Sequence, residues 1–386
     1  MKMRIFLLAG EASGDQLGGG LMRALRRARS DVAFCGVGGT AMTQAGLSSL
    51  YPLQELAVMG FLPVLRHLPR LLKRMDTTVA AVLREKPDAL VIIDSPDFTH
   101  RVARRVRREM PRLPIIDYVS PTVWAWRSGR ARRMRRHIDH VLALLPFEPE
   151  AYRRLGGPAC TYVGHPLIER VTDLTPSADD LRRRGEAPPL LVVLPGSRRS
   201  EIERLMPIFA LALKQLGERI GPFEAVLPAV PHLAEEIRGK VASWPVRPQV
   251  ICGEADKFAT FRRAKAALAA SGTATLELAL AEVPMIVAYA VAWAEALARP
   301  FIKVPSIVLP NLILGENIVP EFLQEDCTPE ALAAALAALF GEGPERRRQS
   351  EAFPRLAERL RLPDGATPSD RAAAIVLGAV LPPSRK

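Results

Sequence analysis

The 386-residue sequence predicts an α/β protein of two doubly wound units in series. Three observations carry this. Short apolar, β-rich runs alternate with segments of helical period, the pattern of a parallel sheet wrapped by helices. The alternation breaks once, at LTPSADDLRRRGEAPP (174–189), a stretch of Pro, charge and small residues, and then begins afresh. Hydrophobic residues make up 48% of a chain too long for one typical domain, enough for two cores.

In order, strands are predicted at Arg4–Ala9, Val32–Val37, Ala89–Asp94, Ile115–Ser120, Val141–Leu145 and Thr161–Val163 for the first unit. The second unit has them at Leu190–Leu194, Glu224–Leu227, Gln249–Cys252, Ala266–Ala270 and Pro284–Ala288. The stretch 174–189 reads as a linker with a short charged helix. Beyond 328 the chain is rich in Ala, Leu and Arg and reads as helical. The domains expected are 1–173, 187–345 and a C-terminal helical segment, 346–386.

The net charge of +12 points to a polyanionic partner: nucleic acid, an anionic membrane or a phosphorylated substrate. Cys35, Cys160, Cys252 and Cys327 are scattered, which argues against a zinc site or disulfide framework and fits core positions in a reducing compartment. No signal peptide is evident, and no run reaches the ~18 apolar residues of a membrane span. The expected location is cytoplasmic, free or held on a membrane surface.

Ligands of doubly wound sheets sit beyond the carboxyl ends of the strands, so the loops there are the ones to read. LLAGEASGDQLGGGLM (7–22) is glycine-rich yet holds Glu11 and Asp15, which repel phosphate and suit sugar hydroxyls. LVIIDSPDF ends a strand with Asp94 and Asp97. Asp94 reads as an Asx-turn residue, whereas Asp97 is a candidate general base. In LPGSRRSEIERLM, Gly196, Ser197 and Arg198 precede a helix whose start is marked by an S-x-x-E box at Ser200 and Glu203. In AASGTATLELALAEVP, Ser271, Gly272, Thr273 and Thr275 open another helix, with Glu277 placed to accept from ribose hydroxyls. Both loops suit phosphate oxygens. Neither is a Walker motif, and no Asp-x-Asp occurs, so arginine and helix ends are expected to do the work of a metal, with no cofactor.

RVARRVRRE and RSGRARRMRRHIDH carry Arg101, Arg104, Arg105, Arg108, Arg132, Arg133, Arg135 and Arg136. They read as a solvated face, or as sites for anionic lipid or substrate phosphate. Without interleaved aromatics or an RNA-binding module, nucleic acid is not expected. In GFLPVLRHLPRLLKRM (60–75), Phe61, Val64, Leu65, Leu68, Leu71, Leu72 and Met75 share one helical side. Arg66, Arg70, Lys73 and Arg74 share the other. The pattern suits a helix lying in a membrane interface or one packed on the sheet, and Pro69 is expected to kink or interrupt it.

AGEASGD, SPDF, YVSPTVWAWR, YVGHP, LPGSR, SGTATLE and LPNL, in that order over residues 9 to about 312, closely resemble the lipid-A-disaccharide synthase family, glycosyltransferases of bacterial lipopolysaccharide assembly. The resemblance implies a GT-B architecture, two Rossmann-like domains facing across a cleft, with C-terminal helices returning to the first. It implies inverting, metal-independent transfer from UDP-2,3-diacylglucosamine to 2,3-diacylglucosamine 1-phosphate. The products are a β-1,6-linked disaccharide 1-phosphate and UDP. By motif, the family's functional acid falls on Asp97 and its acidic loop on Glu11, either being the base. The GSR arginine falls on Arg198 as support for departing UDP, the SGTATLE acid on Glu277 at the ribose, and the LPN asparagine on Asn311 near the cleft. ILGENIVPEF departs from the family pattern around Gly315–Asn317. The substrates being lipids, the expectation is a peripheral protein on the anionic cytoplasmic face of the inner membrane. A homodimer is left open. The competing readings are another GT-B transferase acting on a lipid-linked acceptor and a basic nucleic-acid-binding protein.

Overall fold

The computed structural model describes residues 2–56, 61–290 and 304–380, and for 61–68 the backbone alone. The chain divides into two compact units, Met1–Pro166 with Arg361–Lys386, and Leu167–Leu360.

In the first unit, β1 (Met3–Ala9), β2 (Val32–Val37), β3 (Ala89–Ile93), β4 (Ile115–Tyr118), β5 (His140–Ala143) and β6 (Ala159–Tyr162) form a parallel sheet in the order β2-β1-β3-β4-β5-β6. Register pairs Ile5 with Phe34 on one side and with Ala89 on the other. Residues 5–9 of β1 and all of β3 are buried, because helices cover both faces and leave no solvent side for alternation. Helix Pro368–Val380 completes this unit. Ala372, Ala373 and Val376 enter the core shared by β1 and β3, and Asp370 accepts a hydrogen bond from Arg27 at 2.6 Å.

In the second unit, β7 (Leu190–Leu194), β8 (Glu224–Pro228), β9 (Gln249–Ile251), β10 (Ala266–Ala270), β11 (Met285–Tyr289) and β12 (Glu321–Leu323) give a parallel sheet ordered β12-β11-β10-β7-β8-β9. β12 was not expected: three residues after a proline show no period to read.

Two boundaries differ from expectation. The stretch 174–189 belongs to the second unit. It contains helix Ala178–Arg184, capped by Ser177, and the buried Arg184 guanidinium donates to the Arg262 and Glu282 carbonyls at 2.8 Å. Helix Pro344–Leu360 also stays with the second unit and does not return with the tail. Buried Gln349 bonds both backbone groups of Met285, and Arg346 donates to the Lys265 carbonyl.

Each sheet has a switch point where the strand order reverses. In the first it lies between β1 and β3, in the second between β7 and β10. The loops following these four strands are the four singled out in the sequence.

Candidate active site

At the first switch point the loops after β1 and β3 touch. The Gly10 amide donates to the Ile93 carbonyl at 3.2 Å, and a Cβ on Gly10 would lie 2.1 Å from that of Ser95, so only glycine fits. Asp94 and Ser95 both have positive φ, 60° and 46°, a strained turn held by its side chains. The Asp94 carboxylate accepts from the Ser95 amide at 2.7 Å and the Ser13 hydroxyl at 2.8 Å. Asp94 is thus a turn residue but not the Asx turn expected: its bond goes to the very next amide, and the residue two on, Pro96, has no N–H to give. The Ser95 hydroxyl donates to Glu11 at 2.9 Å, tying Glu11 to the turn that presents Asp97. Asp97 stands in the first turn of helix Pro96–Glu109 with its side chain 87% exposed, 3.7 Å from an Arg130 nitrogen. It is open to a ligand.

Asp15 is not part of that constellation. It is buried, and its oxygens accept from the amides of Gly39, Ala41 and Met42 at 2.7, 2.9 and 3.0 Å. It caps helix Thr40–Gln44 and has no oxygen facing a sugar; its expected substrate contact is corrected to a structural one.

At the second switch point a cavity of about 520 Å³ opens beyond β7 and β10. Gly196, Ser197, Arg198, Ser271, Gly272, Thr273 and Glu277 line it, so both expected phosphate loops meet there. Gly272 has φ 144° and open space where a Cβ would stand, so backbone can approach a ligand there. Ser271 Oγ donates to the Ile307 carbonyl at 2.8 Å, anchoring the loop.

Three expectations change here. Helix Arg199–Ile220 begins earlier than the Ser200–Glu203 box implies, with Arg198 as N-cap. Glu201, not Glu203, folds back to accept from the Ser197 and Arg198 amides at 3.1 and 3.3 Å and from the Arg198 guanidinium at 3.1 Å. A carboxylate thus occupies two amides at the helix start expected to suit phosphate. Thr275 is wholly buried, its hydroxyl on the Gly272 carbonyl at 2.8 Å, and it shapes the turn without reaching the cavity. Asn311 is buried with all its polar capacity used: its amide donates to the Val319 carbonyl and Glu321, and its oxygen accepts from the Ile318 and Val319 amides. It pins the segment after Gly315 and does not line the cavity.

Sequence reading missed Lys257, whose ammonium bridges both Glu277 oxygens at 2.9 and 2.8 Å. The signal was present, since CGEADKFA follows β9 and opens helix Glu254–Arg263 beside the same cavity. It also missed Glu148, buried beneath the YVSPTVWAWR loop, which accepts from the Trp124 indole at 3.0 Å and the Leu145 amide at 2.9 Å. Burial pushes its carboxyl up to about 7 against those two bonds.

The candidate membrane helix forms at Phe61–Glu85 and runs through Pro69 without interruption. The side chains of Phe61, Val64, Leu65, Arg66 and Leu68 lie outside the described residues. Of the others, Leu71 packs on the core, Met75 is buried, and Leu72 is 38% exposed beside exposed Lys73. Arg70 and Arg74 both reach Glu55, at 3.1 and 2.6 Å, so two cations of the expected basic face are already compensated.

The profile of the lipid-A-disaccharide synthetase family matches residues 5–364. The lipid-A-disaccharide synthase of Nitrobacter hamburgensis is 56% identical over 97% of this chain and 95% of its own length. That of Rhodospirillum centenum is 49% identical over 97% and 94%. Among solved structures, UDP-GlcNAc 2-epimerase from Neisseria meningitidis, bound to UDP-GlcNAc, superimposes with a TM-score of 0.60 at 11% identity, covering 97% of this chain and 98% of that one. MurG from Acinetobacter baumannii gives 0.56 at 14%, covering 97% and 99%. Those likenesses show the fold, two Rossmann-like units of the GT-B class. With its motifs seated at the switch points of both sheets, the chain belongs to the lipid-A-disaccharide synthetase family.

Proposed function

We propose that the protein transfers 2,3-diacylglucosamine from its UDP donor to the 6-hydroxyl of 2,3-diacylglucosamine 1-phosphate, inverting the donor C1 and using no metal ion. The observation that carries this, beside family membership, is the second-unit cavity. There a glycine of open approach, two hydroxyl-bearing loops, Arg198 and the Lys257–Glu277 pair converge beyond β7 and β10.

The second unit holds the UDP moiety. Arg198, 62% exposed, swings from Glu201 to the diphosphate, and Lys257 adds a second cation. Together they take up the charge that develops on the leaving group. Glu277 accepts from ribose hydroxyls, sharing its oxygens with Lys257. In the first unit, the Asp97 carboxylate takes the proton from the acceptor 6-hydroxyl as that oxygen attacks C1. The bond from C1 to the UDP oxygen breaks, and UDP leaves with the electron pair. Glu11, held by Ser95, positions the acceptor's hydroxyls.

No helix of the described residues is long and apolar enough to cross a membrane. The protein works as a peripheral enzyme on an anionic cytoplasmic membrane face, from which it draws both lipids.

The test is to mix purified protein with both acylated monosaccharides and follow UDP and disaccharide by mass spectrometry, with and without EDTA. Transfer to diacylated acceptor that survives chelation is expected. Transfer only to some other lipid-linked acceptor overturns the substrate assignment, and loss with EDTA restored by magnesium overturns the metal-free route.

A further inference from the structure

The two arginine runs are the walls of one pocket. Helix Pro96–Glu109 supplies Arg101, Arg104 and Arg108, and the segment around helix Gly129–Met134 supplies Arg127, Arg130 and Arg133. The pocket holds about 790 Å³, and eight arginines line it against a single acid, Asp97. Arg107 is compensated, donating to Asp139 at 2.5 Å and to the Pro111 and Leu113 carbonyls. Arg130 meets Asp97 only at 3.7 Å. Arg104 is held below its ordinary pKa by desolvation and then by the charges on Arg101, Arg130, Arg108 and Arg133. Arginines that merely solvate a surface have no reason to converge against their own repulsion. Cations gathered in a concavity focus a positive potential, and guanidinium forks match phosphate oxygens two at a time.

A second observation points the same way. His137 lines this pocket, is only 5% exposed, and its Nδ1 has no hydrogen-bond partner. Its Nε2 lies 3.4 Å from His100 Nδ1, and His100 Nε2 lies 2.9 Å from Asp117. Asp117 fixes the His100 proton on Nε2, so His100 Nδ1 accepts from His137, whose Nδ1 keeps a bare lone pair. A phosphate monoester that keeps one proton has a P–OH to donate to this lone pair, which a fully ionised phosphate, made only of acceptors, has not. Burial, then neighbouring positive charge that includes Arg104, Arg107 and Arg130, lowers the His137 pKa to about 3; an arriving anion reverses part of that repulsion.

We infer that this pocket is the subsite for the phosphate monoester of the acceptor. The inference rests on the function proposed above and adds where the acceptor's charge is read. Asp97 and Arg101 lie one helical turn apart, about 6 Å along the axis. A sugar ring reaching from one to the other sets its hydroxymethyl at the carboxylate and its phosphate among the guanidiniums. The arginines thereby align the hydroxyl that Asp97 deprotonates.

The variant Arg104→Gln/Arg133→Gln changes two exposed residues and is expected to melt as the parent does. The reading is kcat/KM for acceptor bearing the 1-phosphate against acceptor with a free 1-hydroxyl, in neutral detergent. The parent should prefer the phosphate at least tenfold. The variant should lose most of that preference through acceptor KM, with donor KM unchanged. Inorganic phosphate should shift the His137 ring resonance in the parent and not in the variant, a readout that needs no turnover. Transfer with no phosphate preference in the parent, or a preference the variant keeps, overturns the subsite and leaves the proposed function standing. Absence of all transfer sinks the proposed function, and the resonance still decides on the pocket. Sedimentation with phosphatidylglycerol vesicles separates the remaining source of phosphate. If the variant releases from vesicles but keeps its preference, the pocket reads lipid headgroups and the inference is wrong.

Discussion

Asp15 and Asp97 show why residue type alone did not settle the site. Both are aspartates in loops that follow a strand, and both read as functional, Asp15 toward sugar hydroxyls and Asp97 as a general base. One has its lone pairs committed to three amides, the other has 87% of its side chain in solvent. Asp97→Asn keeps the shape and removes the basicity, so turnover should drop by about two to four orders of magnitude with an unchanged melting curve. Asp15→Asn should do the reverse. It exchanges an acceptor oxygen for a donor beneath a buried helix end, costing about 1–3 kcal/mol and leaving turnover of the folded fraction intact. Thermal melts and initial rates on both variants check this. A full-rate Asp97→Asn enzyme would falsify the base assignment. Thr275 and Asn311 follow Asp15: composition does not show that a polar group is already satisfied within the fold.

At the scale of elements the sequence was more legible. Apolar runs located eleven of the twelve strands, because a parallel sheet covered on both faces demands continuous hydrophobic stretches. Helix starts were less certain, with Arg198 rather than Ser200 capping one of them. Helix Phe61–Glu85 is the sharpest case. Its 3.6-residue period was visible, but not which part of the stripe faces protein. Leu71→Ser should cost about 1–2 kcal/mol of stability, since that side chain packs on the core. Leu72→Ser should leave stability within about 0.5 kcal/mol and weaken sedimentation with anionic vesicles about fivefold, the equivalent of ~1 kcal/mol of inserted surface. Equal destabilisation by both changes would return Leu72 to the core and remove the membrane contact.

For the whole molecule, two units were legible but their seams were not. A boundary is fixed by contacts such as Arg184 on the Glu282 carbonyl, and composition does not record these. The same blindness hid Glu148, whose effect is on global stability. Its carboxyl sits at about 7 in the folded chain against an ordinary 4.5. Between those values the folded state holds a proton that the unfolded state has lost, so this group's contribution falls as pH rises through the window. The gap amounts to about 3 kcal/mol. His165 and His137, buried neutral with pKa lowered to about 4 and about 3, act oppositely, their contribution rising with pH up to the ordinary 6.5. The parent's own profile mixes these effects; Glu148→Gln isolates one. Relative to the parent, that variant should gain about 3 kcal/mol in denaturant unfolding between pH 4.5 and pH 7.5. A difference that stays constant with pH would show that Glu148 does not titrate there.

The return of helix Pro368–Val380 to the first unit has a consequence in time. A ribosome delivers residues in order, and domains usually close as soon as their residues have emerged. Here the second unit, Leu167–Leu360, is fully delivered while the first still lacks Ala372, Ala373 and Val376 from its core. The unit begun first is finished last. Until then the face of helix Ala12–Ala28 that the returning helix covers stands wet on the nascent chain.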